Sequence, residues 1–106
     1  RQEGNQLLDE SVTAYENALQ EITREKLPMS WAMTLANLGA VRMILAERTE
    51  NADVAMMALN DFDEVVEFFR EASHAQYMEL ADEQRKKAQA LVTMFSDQVK
   101  QIPTNI

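Results

Sequence analysis

The stretch PMSWAMTLANLGAVRMIL, residues 28–45, decides the fold. Large apolar residues recur in it at intervals of four, three and seven residues: Trp31, Leu35, Leu38 and Leu45. That spacing places them on one side of an α-helix, and Arg42 is the one polar residue on the same stripe. Pro28 cannot continue a preceding helix, and Ser30 is predicted to cap this one. The stretch therefore predicts a helix whose apolar side must pack against other helices.

Three more stripes have the same spacing. The first contains Leu8, Val12, Tyr15, Leu19 and Ile22; the third contains Ala55, Leu59, Phe62, Val66 and Phe69, widened by Val65 and Ala72; the fourth contains Tyr77, Ala81, Gln84, Ala88, Leu91 and Phe95. Thr49 and Asn51 compete as caps of the third helix, 73–75 separates the third from the fourth, and Pro103 follows the last stripe. The sequence predicts an all-α fold of antiparallel helical hairpins, with about four helices stacked together.

Composition and charge narrow the class further. The chain has 106 residues, 46% of them hydrophobic, with two Gly and two Pro, which predicts a single helical domain over residues 1–106. Without Cys, no disulfide or thiolate metal site can form. Eighteen acidic residues against ten basic ones give a net charge of −8, which argues against binding to nucleic acid or to an anionic membrane. We expect a cytoplasmic protein, although a chain that starts at Arg1 suggests a trimmed terminus and a lost signal.

Catalytic and metal motifs are weak in this sequence. Glu71 and His74 match the Glu-x-x-His pattern of di-iron bundles, which requires a second copy, and His74 is the only His. Gly-rich phosphate loops, His-Glu-x-x-His and nucleophile elbows do not occur. The acidic pairs are interpreted as solvated faces: Asp9/Glu10, Asp63/Glu64 and Asp82/Glu83. We therefore predict no enzyme, no catalytic residue, no cofactor and no metal.

The seven methionines have two interpretations. Methionine is flexible and polarizable, so it suits either irregular gaps in a core or an adaptable binding surface. Core filling is the favoured interpretation. Because Met56 and Met57 are adjacent, at least one of them is expected to face away from the core.

Internal similarity links the first and third stripes. Four positions recur 54 residues later: Ser11, Tyr15, Ala18 and Leu19 as Val65, Phe69, Ala72 and Ser73. The first three pairs give a small or slim residue, an aromatic and an alanine at the same spacing. Between them, the middle of the chain carries an ordered series of short runs: Thr23-Arg24-Glu25, Pro28, Trp31-Ala32-Met33-Thr34, Asn37-Leu38-Gly39 and Glu47-Arg48. Over residues 11–95 this pattern resembles the tetratricopeptide-repeat (TPR) family. It is most similar to a bacterial subfamily with a Trp-Ala-Met-Thr run before Asn-Leu-Gly.

The chain also departs from the family pattern. The 54-residue offset exceeds the roughly 34 residues of a standard repeat. Arg42 stands where the family usually has an aromatic, and Ser73 where a Gly often precedes the last helix. The fourth helix lacks a Leu-Gly match, so it is interpreted as a terminal cap. The resemblance therefore implies about one and a half repeats plus a cap, in a right-handed α-α stack.

What the resemblance implies for function is protein binding. TPR arrays bind an extended peptide on the concave surface of their first helices, which here would include Met33, Asn37, Ala40 and Ile44. Gly39 would permit close contact with the partner helix, and Asn37 could hold a ligand's backbone amide and carbonyl, or bond within the stack. The expected function is a non-catalytic scaffold for a protein or peptide partner. The alternative is a structural cap or self-assembling, homodimeric module of a longer repeat protein.

Overall fold

Four helices account for nearly all of the chain. A computed structural model describes residues 2–100, and side chains from Gly4 to Asp97. The helices are α1 (Gln2–Glu21), α2 (Pro28–Thr49), α3 (Ala52–Glu71) and α4 (Ala75–Lys100), and the described residues contain no strand. Short connections join consecutive helices, which pack as antiparallel hairpins. The all-α prediction is confirmed, and the predicted role of Pro103 lies outside the described residues.

The predicted boundaries are partly correct. α2 begins at Pro28, with Leu27 before it and no side-chain cap, so the prediction that Ser30 caps the helix is wrong. Proline lacks an N–H and suits the first helical position, which moves the N-cap three residues earlier, from Ser30 to Leu27. At α3, the Asn51 side chain accepts hydrogen bonds from the backbone N–H groups of Asp53 (2.8 Å) and Val54 (3.1 Å). Thr49 instead ends α2.

Two helix ends use the left-handed conformation without glycine. Glu50, after α2, has φ 49°, and Ser73, after α3, has φ 59°. At the second end, the N–H of His74 donates to the carbonyl of Phe69 at 2.9 Å, which closes the last turn. The predicted break at 73–75 is therefore confirmed. It depends on a serine held in a conformation that glycine adopts more readily.

The third helix is the centre of the molecule. α3 packs between α2 and α4, α2 also contacts α1 and α4, and no Cα atom of α1 comes within 8 Å of α3 or α4. The buried residues of α3 are Ala55, Ala58, Leu59, Asp61, Phe62, Val65, Val66, Phe68 and Phe69. A Cβ atom at Gly39 would lie 2.9 Å from the ring of Phe62, so glycine is what allows α2 and α3 to approach closely.

Arg24 anchors the loop before α2 to side chains of α2 and α3. Its guanidinium lies 5.3 Å from the Trp31 ring centroid and 5.4 Å from that of Phe68. It also donates to Glu71 at 2.6 Å. The Arg24 to Trp31 part of the repeat-like run therefore ties α2 to α3, which is a structural role rather than a binding one.

The predicted packing needs two corrections. Five of the seven methionines are exposed rather than core-filling: Met29, Met33, Met56, Met57 and Met94. The core is filled by alanines, branched residues and Phe side chains, which leaves little irregular space for Met. Tyr77, on the fourth stripe, is also exposed, since it lies one turn before Ala81, the first buried residue of α4.

One helix among the described residues, α2, is long and apolar enough to cross a membrane by length and composition alone. Much of that apolarity is used inside the fold. Leu35, Leu38 and Leu45 are buried against neighbouring helices. Central helices of globular proteins have the same composition.

Candidate protein-interaction groove

The residues that the resemblance implies for binding lie together on α2. Met33, Asn37, Ala40 and Ile44 are all exposed, at intervals of four, three and four residues. They therefore form one outward face of the helix, on the side away from Arg42. Met33 is 48% exposed and Ile44 is 41% exposed, which is high for large apolar side chains.

This face is uncharged. Between Pro28 and Val41 the sequence has no acidic or basic residue, although 26% of the whole chain is charged. Arg42, the next charged residue, is buried. We call the exposed surface of residues 29–44 the neutral face of α2.

An apolar groove of about 200 Å³ lies beside the neutral face, between α2 and α4. Its lining residues are Met33, Ala36, Phe62, Val65, Phe69, Tyr77, Leu80, Ala81 and Gln84. Of the four residues implied by the resemblance, only Met33 lines it. Tyr77 and Leu80 form the opposite rim, with exposed fractions of 44% and 55%. We call this the α2–α4 groove.

The floor of the groove comes from α3. Phe62, Val65 and Phe69 are almost completely buried, and Gly39 brings α2 close enough to cover Phe62. The Tyr77 ring lies 5.3 Å from that of Phe69, which fixes one end of the rim. The groove is thus an apolar concavity with a buried floor, built from three helices.

A second cleft of about 270 Å³, lined by both charged and apolar side chains, lies on the opposite side, between α1 and α3. Its lining residues are Asp9, Val12, Thr13, Glu16, Arg42, Leu45, Val54 and Met57. Arg42 donates through one guanidinium nitrogen to both oxygens of Asp61 (2.8 and 3.1 Å) and through another to Glu16 (2.7 Å). Arg42, the one polar residue on the apolar stripe of α2, is therefore the centre of an ion network that joins α1, α2 and α3.

Asp61 is the titratable group most perturbed by this network. Burial raises the pKa of its carboxyl from 3.8 to about 6, although Arg42 acts in the opposite direction. Glu64 and Glu16 add to the increase, because a nearby carboxylate disfavours a second negative charge. The network holds helices together, and its guanidinium already has carboxylate partners.

The Glu-x-x-His pattern does not form a shared helix face. Glu71 is the last residue of α3 and pairs with Arg24, whereas His74 precedes α4 and packs its ring against Phe69 and Tyr77. No group of three His, Cys, Asp or Glu side chains within the described residues could hold a metal ion. Of the acidic pairs, Asp82 lies half-buried, and its hydrogen bond from Arg85 lowers the pKa of its carboxyl.

Sequence reasoning missed part of this site. Leu80 lies beside the fourth stripe rather than on it, and its only signal is a large apolar residue among acidic ones. Asp61 is flanked by Phe62, Asp63 and Glu64, a context that resembles a solvated face. Its burial is explained by Arg42, which is distant in sequence.

Comparisons of the chain with protein-family models, curated proteins and solved structures found no match in any of the three.

Proposed function

We propose that this chain is a non-catalytic, TPR-like protein-interaction module that holds a partner in the α2–α4 groove and on the neutral face of α2. The observation that carries the proposal is that large apolar side chains are exposed on the neutral face of α2, at Met33 and Ile44, and on the opposite rim of the groove, at Tyr77 and Leu80. Large apolar patches edged by polar residues mark interaction sites in globular proteins.

Simple energetics support the groove as a binding site. Fully burying a Met or Leu side chain contributes about 1.5–3 kcal/mol. Met33, Tyr77 and Leu80 are about half exposed, so covering them would contribute roughly 1 kcal/mol each. The preformed floor of buried Phe and Val side chains keeps the ordering cost low.

The TPR-like part of the proposal is supported by the arrangement of the last three helices. α2 and α3 form a hairpin with Gly39 at their contact, and α4 packs on α3 while also contacting α2. A first helix that contacts both its partner and the next first helix is the arrangement of α-α repeats. Arg42 and Ser73 remain departures from the family pattern.

The test compares partner capture by the wild type with capture by Met33→Gln/Leu80→Gln. Both changes remove apolar surface from the groove rim without adding charge. Met57→Gln is the matched control, because Met57 has a similar exposed fraction, 44%, and lies in the opposite cleft. Proteins retained by the wild type and the control but lost from the double variant support the proposal. Equal capture by all three rejects it.

The alternative is a structural module that caps or dimerises a longer repeat protein. The incomplete burial of the apolar stripe of α1 favours this alternative. The stripe residues of α1 are only partly buried, because only α2 comes within 8 Å of α1, Cα to Cα, and three of them pack against a core cluster of α2, α3 and α4 residues: Val12, Tyr15 and Leu19. Leu7 is the most exposed large apolar residue of the described chain, at 66%. A further helix, or α1 of a second copy, would cover this face.

Sedimentation or light scattering separates this alternative from the groove. Self-association at micromolar concentration that Leu7→Gln abolishes and Met33→Gln preserves would support a dimer through α1. A monomer at that concentration, with an unchanged Leu7→Gln variant, excludes it.

A further inference from the structure

Two carboxylates share one guanidinium where α1, α2 and α3 meet. Arg42 donates to Asp61 through one nitrogen, at 2.8 Å, and to Glu16 through another, at 2.7 Å. When both carboxyls are ionised, this cluster has one more negative charge than positive. Asp61 is 6% exposed, whereas the Glu16 side chain is 49% exposed. Excess negative charge away from water favours uptake of a proton by the more buried carboxyl.

The other groups around Asp61 act in the same direction as its burial. Arg42 from α2 is the positive group that acts on its carboxyl, while Glu64 from α3 and Glu16 from α1 are negative. Among the described residues, α4 supplies no charged group that shifts it. Asp9, two turns before Glu16, lines the same cleft and is also acidic. Burial, together with Glu64 and Glu16, raises the pKa of Asp61 to about 6, close to neutral pH.

Helix α1 is the element that can move relative to this cluster. Its backbone lies within 8 Å of α2 alone, Cα to Cα, and its stripe residues are only partly buried against the core. Its middle turns border the cleft of about 270 Å³. Among the described residues, the Glu16–Arg42 contact is the only ion pair of α1. Moving α1 away therefore breaks this pair and leaves the contacts among α2, α3 and α4 in place.

Such a movement changes the environment of Asp61 in two ways that have the same sign. It removes the Glu16 charge, which disfavours ionisation of Asp61. It also leaves the Arg42 guanidinium undivided, which favours the ionised Asp61. The pKa of Asp61 is therefore higher with α1 docked than with α1 open. By linkage, a proton on Asp61 favours the docked state.

We propose that α1 is a movable arm whose docking is coupled to a proton on Asp61, so that α1 docks more tightly at mildly acidic pH and opens more often as the pH rises. Protonation of Asp61 leaves the Arg42 charge to Glu16, whereas ionisation divides that charge between two carboxylates. Because docking raises the pKa, the added stability of the docked state is complete at low pH and is lost as the pH rises through about 6. The coupling is independent of the proposed function, since it operates in the cleft opposite the groove.

Native-state hydrogen exchange at pH 5 and pH 7 tests the coupling. Each amide is compared with an unstructured chain at the same pH, so the intrinsic pH dependence of exchange cancels. Amides from Val12 to Leu19 should be less protected than those in the middle of α3, and should lose about threefold in protection between pH 5 and pH 7. Loss of the whole pKa shift on opening would give about tenfold, and Glu16 is only one of its causes.

Three variants assign the change to the cluster. Asp61→Asn has no proton to lose, so its α1 protection should stay within about 1.3-fold between the two pH values. Asp63→Asn is the matched control, because it removes an exposed carboxylate of the same helix and should keep the wild-type change. Glu16→Gln should lower α1 protection more at pH 5 than at pH 7, since its ion pair is strongest when Asp61 is protonated. His74, the only histidine, is present in every variant.

The outcomes distinguish a coupled arm from a simple peripheral helix. The threefold loss in the wild type and Asp63→Asn, absent from Asp61→Asn, supports the proposal. An α1 protection that does not change with pH, or that changes equally in Asp61→Asn, overturns it. Equal protection of α1 and the middle of α3 also overturns it, because α1 then opens only with the whole molecule. Should Asp61→Asn not fold, Glu16→Gln still decides, since an equal loss at both pH values would show that Glu16 and the proton are not coupled.

Discussion

Helices α1 and α3 carry similar local patterns but are held very differently. Tyr15 on α1 and Phe69 on α3 are equivalent positions, 54 residues apart, each followed three residues later by an alanine. Phe69 is 3% exposed, because α2 and α4 enclose it, whereas Tyr15 is only partly buried at its place against the core. Similar sequences thus give a core helix in one place and a peripheral helix in the other.

The difference shows that the number of neighbouring helices decides how much of an apolar stripe is buried. α3 has helices on both sides, so the apolar residues of its stripe, from Ala55 to Phe69, lose nearly all contact with water. α1 has α2 alone for backbone contact, and the polar side of its interface uses the Glu16–Arg42 ion pair. A helix fastened in this way should open more readily than the three-helix unit α2–α4.

The largest expected effect is the cost of truncating the two equivalent aromatics. Phe69→Ala should lower the free energy of unfolding by about 4 kcal/mol, because it opens a cavity in a tightly packed core. Tyr15→Ala should lower it by only about 1–2 kcal/mol, since that side chain is only partly buried. Urea unfolding followed by circular dichroism measures both. Equal losses would mean that α1 is as firmly packed as α3.

The ion network gives the next largest effect. Asp61→Ala leaves the buried Arg42 guanidinium with Glu16 as its remaining partner, and should cost about 3 kcal/mol. The double variant Arg42→Met/Asp61→Leu replaces the buried pair with apolar groups and should be neutral or up to about 3 kcal/mol more stable.

Comparing the single and double variants separates two roles of this network. If the double variant loses as much stability as Asp61→Ala, the ion pair itself stabilises the fold. Glu16→Gln is the matched control on α1, because Glu16 is 49% exposed and an exposed pair contributes about 1 kcal/mol or less.

The same carboxyl predicts a smaller dependence of stability on pH. Asp61 has a pKa of about 6 in the fold against 3.8 as its ordinary value, so the folded state binds the proton more tightly. Its contribution is fully present below pH 3.8 and is lost as the pH rises through 6. Lowering the pH from 7 to 5 should therefore raise the free energy of unfolding by about 1 kcal/mol through this group.

Asp61→Asn isolates this effect from that of other titrating groups. The wild type and the variant are unfolded with urea at pH 5 and pH 7, and the change between the two pH values is compared. The variant should lack about 1 kcal/mol of the gain seen in the wild type. An identical pH dependence in both would show that Asp61 does not titrate in this range.

The sequence was sufficient to predict the helices but not to predict which distant residues their side chains contact. The apolar stripes were predicted from periodicity, the cap of α3 from Asn51, and the break between α3 and α4 from residues 73–75. All three features depend on local chemistry. The neutral face of α2 could also be placed, since helical spacing fixes which residues share a side. Local rules could not show that Asp61 is buried, or that Leu80 meets Met33 across a groove, because both depend on residues far apart in the chain.

The smallest expected effect compares the two regions directly. Ser73→Gly relieves a left-handed serine at the α3–α4 junction and should stabilise the fold by about 1 kcal/mol, while Ser73→Ala keeps the strained conformation and should not. Native-state hydrogen exchange then shows in which helices the amide protection increases. If α1 opens on its own, amides in the middle of α3 and α4 become more protected by about fivefold and those of α1 stay unchanged. A uniform increase across all four helices would instead show that α1 opens only with the rest of the molecule, as one cooperative unit with the three-helix core.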